Sequence, residues 1–348
     1  MDKFFQVYSS QNPCKGSHLL TMVHSFMTMW GRRGQGDGEF SFPKGVAIGV
    51  NGDVYVADSN NNRIQIFTAD GVFLDKWGRF GTREGEFFRP EGIAIDSHFD
   101  VYVTDRLNHR IQKFDRNGRF ITQWGRNGTG ESEFQGPTGI AVEADDDVLV
   151  ADKFNFRMQK FKGNGDFIRQ YGGKDETGTK PEKFNNGPDA VAVDSQKNSY
   201  VTSVNLGGTA FVKKFTETGN FIRQFALHVP SPPHDPIQRL SALGIAVFNE
   251  DPLRGNNIMV SDTTPHRVQE WSDNLEFVET WGSQGHLPGQ FTTPTYIAIA
   301  KRTGDPPSAF SSVHYVADST NNRVQKFRWE LGTHDAEVHK SVAQSEIS

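Results

Sequence analysis

Six corresponding positions of this chain read Lys44, Glu91, Thr138, Asp189, Leu243 and Thr295, each one residue before the apolar run that opens a repeated unit. Two of them, Glu91 and Asp189, are carboxylates. If the six converge on one channel, that pair could hold a hard divalent cation, calcium or a similar ion, through oxygen ligands. A cation there would polarise a carbonyl and activate water. The plainer reading is that both acids are solvated or paired with Lys44. A second polar group, His228, His234, Asp235 and Arg239, crowds the proline-rich insertion HVPSPPHDPIQR. Insertions on a regular frame carry specificity or partner contacts, so these four are candidate catalytic or lid residues. Ser203 stands where other units carry Asp and joins the candidate ligand-binding set.

The elements that must position these residues follow from a period. Trp30-Gly31 recurs as Trp77-Gly78, Trp124-Gly125 and Tyr171-Gly172 at intervals of 47, then as Phe225-Ala226 and Trp281-Gly282 after 54 and 56. The segment ending at Asp58, VYVAD, recurs in variants ending at Asp105, Asp152, Ser203, Asp262 and Asp318. Six units of fixed length predict a stacked or circular array. Within a unit, GVAIGV, DVYVAD, RIQIF and GVFLDKW read as four short strands, because β-branched and aromatic runs lie between Gly, Asn and Asp. Asn51-Gly52 and Asp70-Gly71 suit tight hairpins. The expected fold is all-β: a six-bladed propeller of four-stranded antiparallel blades.

Closure is legible at the termini. Five units carry a fourth strand of the form Phe-x-x-x-Trp/Tyr/Phe, and the last unit stops after Arg323–Phe327. Phe26–Trp30 has the missing spacing, so a strand at about 26–30 should complete the last blade and remove its open edge. The expected layout is an N-terminal extension over 1–25, the propeller over 26–327 and a polar tail over 328–348.

Composition narrows the function. The chain has 348 residues, a formal charge of −5 and one cysteine, Cys14. An internal disulfide is excluded, and a reducing, cytoplasmic compartment is expected. No signal peptide or membrane-spanning run is read from the chain. The arginines Arg32, Arg33, Arg79, Arg83 and Arg89 are matched by Asp37, Glu39, Glu84 and Glu86, so no phosphate-binding stripe forms and nucleic acid ranks last among partners.

The pattern G-x-F-x-x-P-x-G-I-A-V followed by VYVAD-x-x-N-x-R-I-Q-x-F closely resembles the NHL-repeat family of propellers over all six units. That resemblance implies the fold strongly and activity weakly, since such propellers include amidating lyases, lactonases and binding modules. The channel acids loosely resemble the calcium sites of gluconolactonase and paraoxonase propellers. An amidating-lyase zinc centre would need several channel histidines; none of the six positions is His, and His109 and His266 lie in separate units.

The repeats supply an internal test. A residue present in nearly every blade solves a packing problem; a departure on the mouth side is the functional candidate. Asp58, Asn61 and Arg63, with their equivalents, are therefore structural, and the Trp series is blade packing. Two functions follow: a rigid platform binding a protein, peptide or small ligand at the channel mouth, or a cation-dependent hydrolase of lactones and esters.

Overall fold

Alternation and turn chemistry in each unit produce a four-stranded antiparallel sheet, and six such sheets close into a ring in the computed structural model. The structure describes residues 20–49, 51–205, 208–227, 242–251, 255–274, 276–301 and 311–333. Blade one comprises Pro43–Ile48, Val54–Asp58, Arg63–Phe67 and Phe73–Trp77, and blades two and three repeat it from Pro90 and Pro137. Blade four runs from Pro188–Val193 to Phe221–Ala226, and blade five from Ala242–Asp251 to Phe277–Trp281. Second strands such as Val54–Asp58 are buried along their whole length, because neighbouring blades cover both faces. Fourth strands such as Phe120–Trp124 lie at the rim and alternate between half-buried and exposed. Among the described residues no helix is long and apolar enough to cross a membrane.

The first strands line the axis, each packing on the next, and Pro294–Lys301 of blade six touches the first strands of blades five and one. Closure is the one expected, and it is longer. Leu20–Trp30 pairs antiparallel with Arg323–Thr333, placing Phe26 opposite Phe327 and Trp30 opposite Val324. The pairing begins six residues before Phe26, where no repeat spacing announces it.

Two devices join successive blades. The first is aromatic. Trp30 packs on Phe67 and Tyr315, and Trp77 on Phe114 and Tyr55, so each rim indole lies against the blade that follows. Gly71, in the left-handed region at φ +86°, lets the Trp30 ring approach; a Cβ there would meet the ring at 2.5 Å.

The second device is the Asp-x-x-Asn-x-Arg set. Buried Asp58 accepts from Ser41 N at 2.7 Å, Asn61 Nδ2 at 2.8 Å and Arg63 Nε at 2.8 Å. Arg63 in turn donates to the carbonyls of Gln35, Gly36 and Glu39, and Asn61 to that of Gly34. One carboxylate and one guanidinium thus satisfy the backbone of the loop that crosses between blades, which would otherwise be buried unpaired. The same bonds recur around Asp105, Asp152 and Asp318, so the repeated set is structural.

Asp152→Ala should leave the Arg157 guanidinium buried without its counter-ion and cost about 3–5 kcal/mol. For a chain of this length that lowers Tm by roughly 4–7 °C. Asp152→Ser combined with Arg157→Phe, which copies blade four, should cost less than Asp152→Ala alone in the same calorimetric measurement.

Candidate functional site at the channel mouth

Each first strand begins, and each second strand ends, on one face of the ring, since Pro43 pairs with Asp58 and Pro90 with Asp105. The crossover loops arrive on that face as well. It therefore collects the opening residues of the first strands, the turns after the second strands and the crossovers.

Lys44, Glu91 and Asp189 meet there. Glu91 accepts from Lys44 Nζ at 3.4 Å and from Arg106 Nη1 at 2.9 Å. Asp189 pairs closely with Lys153. Both acids are buried. Burial pushes the Glu91 carboxyl up, but the charges of Lys44, Arg106 and Lys153 outweigh it and hold the group below the usual carboxylate range. At Asp189 burial prevails over Lys153, and the Glu91 charge adds to it, so this carboxyl titrates above its usual range. Thr138 and Thr295 are spent on structure: Thr295 Oγ1 donates to the Ala317 carbonyl at 3.1 Å, and Thr138 Oγ1 faces the carbonyls of Ala151 and Pro188 at 3.5 Å. Leu243 lies in the strand Ala242–Asp251, next to Gly244. His228, His234, Asp235 and Arg239 fall outside the described residues.

Arg106, Lys153 and Tyr296 escaped the sequence reading. The first two follow the repeated Asp, a position that reads Ser59, Arg106, Lys153, Val204, Thr263 and Ser319 down the blades. Comparing that column would have exposed the two cations. Tyr296 occupies the column of Gly45, Gly92, Gly139, Ala190 and Gly244. Those residues are small because a Cβ on Gly45 would sit 2.4 Å from the Glu91 carbonyl of the next blade. The Tyr296 phenol is buried, and its pKa is raised by burial and by both Glu91 and Asp189. The ring thus carries one aromatic among five small residues at its axis.

This donor set does not fit calcium. Three cations already engage the two carboxylates, and a calcium ion needs six to eight oxygens. Among the described residues, the clusters with metal-ligand spacing contain neither Glu91 nor Asp189. His109 is structural as well: its Nδ1 accepts from Gly136 N at 3.1 Å, where Asn62 Oδ1 accepts from Arg89 N at 2.8 Å one blade earlier.

Ser203 belongs elsewhere, to a cleft of about 270 Å³ in blade four whose lining includes Asp175, Lys180, Asn185, Asn205 and Lys213. By register, Ser203, Phe211 and Lys213 replace the Asp58, Arg63 and Gln65 of blade one. Losing the arginine opens the cleft. Lys213 Nζ donates to the carbonyls of Pro181 and Lys183 at 2.7 Å, taking over a bond that Gln65 makes to Glu39. Burial brings the Lys213 ammonium down to about 8, against a smaller opposing pull from Asp175 and Glu182. The unfolded chain then holds more protons than the folded one between pH 8 and the ordinary lysine value of 10.5, so stability rises with pH across that window. Lys213→Gln should remove an increment of order 3 kcal/mol from the pH 8–10.5 stability profile measured by urea unfolding, and leave the fold intact.

The NHL repeat profile matches residues 40–67, 87–114 and 134–161, the first three strands of blades one to three with the end of the crossover before each. Protein lin-41 of Caenorhabditis elegans is 50% identical over 42 residues, 12% of this chain and 4% of that protein. The B-box type zinc finger protein ncl-1 of the same organism is 37% identical over 59 residues, 17% of this chain and 7% of that protein. The chain thus matches only a small part of either relative's length. Among solved structures, virginiamycin B lyase from Staphylococcus aureus superposes with a TM-score of 0.53 at 13% identity, over 89% of this chain and 99% of that one. The gluconolactonase XC5397 from Xanthomonas campestris does so at 0.57 and 13% identity, over 89% and 90%. An auxiliary nutrient binding protein from Bacteroides thetaiotaomicron reaches 0.60 at 9% identity, over 90% and 77%. Similarity at these identities concerns the fold alone. With three matched repeats and six closed blades, the chain is a six-bladed β-propeller that carries NHL repeats.

Proposed function

We propose that this propeller is a rigid binding platform whose channel-mouth face takes an acidic segment of a protein or peptide. The observation that carries the reading is the pairing of a cation-rich mouth with exposed apolar side chains on the same face. Three cations meet two carboxylates at the mouth. Phe80, Phe88, Leu107 and Phe154 stand exposed on the adjoining loops, where Phe80 packs edge-on against Phe88 at 5.1 Å and Arg106 lies 5.8 Å from the Phe154 ring. Exposed apolar groups rimmed by charge mark interaction sites. Arg32, Arg79 and Arg126 are each tied to Glu39, Glu86 and Glu133, which leaves isolated cations rather than a track for a phosphate backbone.

A second reading, hydrolysis of lactones or esters, draws on the opposed titration of Glu91 and Asp189, the arrangement that lets one acid donate a proton while the other accepts one. It needs no cation at this mouth.

A fluorescent acidic peptide panel separates the readings. Phe154→Ala and Phe88→Ala, at exposed positions, should each weaken the best peptide roughly ten-fold without moving Tm. Binding of single-stranded RNA in preference to every peptide would overturn the proposal. Turnover of a lactone panel that is lost in Asp189→Asn would establish the second reading instead.

A further inference from the structure

One column of the third strand is lysine in four of the six blades, with Ile66 in its place in blade one. Lys113 pairs with Asp96 and Asp100 at 3.2 and 2.9 Å, Lys160 with Glu143 and Asp147 at 2.8 and 3.1 Å, Lys214 with Asp273 at 2.8 Å, and Lys326 with Asp70 at 2.9 Å. In blade five the column reverses sign at Glu270. Glu270 lies directly across the sheet from Glu279, and both are buried. Like charges opposite one another destabilise a strand pair unless something between them compensates.

The closing strand brings His24 to this point. It is 7% exposed and stacks on Trp281 at 4.7 Å with the rings 22° apart. Its Nδ1 lies 2.9 Å from Glu279 Oε1 and its Nε2 3.8 Å from Glu270 Oε2, yet neither ring nitrogen meets the geometry of a hydrogen bond. One donor atom from each of the three residues falls within 4.8 Å of the others. A cation about 2.0–2.2 Å from each donor can use only one ring nitrogen of His24, so its binding requires Glu270 to turn toward the Nδ1 side that Glu279 already faces. His314 lies beside the cluster, 5.4 Å from His24 ring to ring, with Nε2 held by Ser312 Oγ at 2.7 Å and a buried Nδ1 that makes no hydrogen bond. An imidazole oriented through one nitrogen and open at the other is the usual form of a metal ligand.

We propose that His24, Glu270 and Glu279 form a buried site for a divalent cation of the zinc class, with the His314 ring packed beside it. Imidazole with carboxylate selects such an ion over calcium or magnesium. Its place in the fold gives it a task. His24 belongs to the strand that closes the ring, and the two glutamates belong to blade five, so one ion would staple the closing strand to the neighbouring blade.

The test uses the full chain after chelator treatment. Zinc should bind at one equivalent, and at 100 times its dissociation constant should raise Tm by roughly 4 °C. Cobalt(II) in its place should give a visible d–d band of nitrogen and oxygen ligation. His24→Gln and Glu279→Gln should each abolish the stoichiometric binding and the band. If either variant fails to fold, the wild-type cobalt spectrum and stoichiometry decide alone. Zinc binding that survives both substitutions, or a wild-type chain that takes up no stoichiometric cation and whose stability follows imidazole protonation only, would overturn the site.

Discussion

A buried carboxylate at the end of the second strand decides where the chain passes from one blade to the next. Asp58 and its equivalents sit in the one place where a crossover loop, a tight turn and a strand end all present unpaired backbone groups. The carboxylate gathers the turn through Asn61, and Arg63 carries the connection to the loop carbonyls. With the crossover held there, the first strand of the same blade must start beside the axis, and its second residue lies at the channel mouth. The positions of Lys44, Glu91, Thr138, Asp189 and Thr295 are consequences of that clamp.

Blade four shows what the clamp costs and what its loss permits. Ser203, Phe211 and Lys213 give up the carboxylate and the guanidinium together, which avoids stranding either charge. The crossover is still held, through two carbonyl bonds from Lys213 and the cradle that Asp175 makes for the amides of Thr177, Gly178 and Lys180. The space once filled by arginine becomes a cleft. Blade five makes the opposite trade. It keeps Asp262 and Arg267 but reverses the charge further along the same strand, at Glu270, where the closing strand supplies His24.

At the mouth, charge balance governs the chemistry more than residue type does. Glu91 and Asp189 alone look like metal ligands. Arg106 and Lys153, placed by the turns that follow Asp105 and Asp152, turn the same pair into buried ion pairs whose titrations are driven apart. Tyr296 then occupies the axis where five other blades have only Gly or Ala, because close packing of the inner strands leaves no space for a Cβ at the four glycines.

The period, the strand count, the closing strand and the structural status of the Asp-Asn-Arg set were legible in the residues alone. Each rests on short-range physics, repeated six times: alternation, hairpin residues and a local side-chain clamp. The channel-mouth column could also be read, since register follows directly from the repeat. What the sequence could not decide was which side chains from different blades meet. Lys44 reaching Glu91 and Lys153 reaching Asp189 across blade boundaries, and His24 lying beside glutamates about 250 residues away in sequence, are long-range contacts. They exist only once neighbouring blades have packed and, for His24, only once the ring has closed, because nothing else brings those strands within the few ångströms over which charge pairing and ligation act.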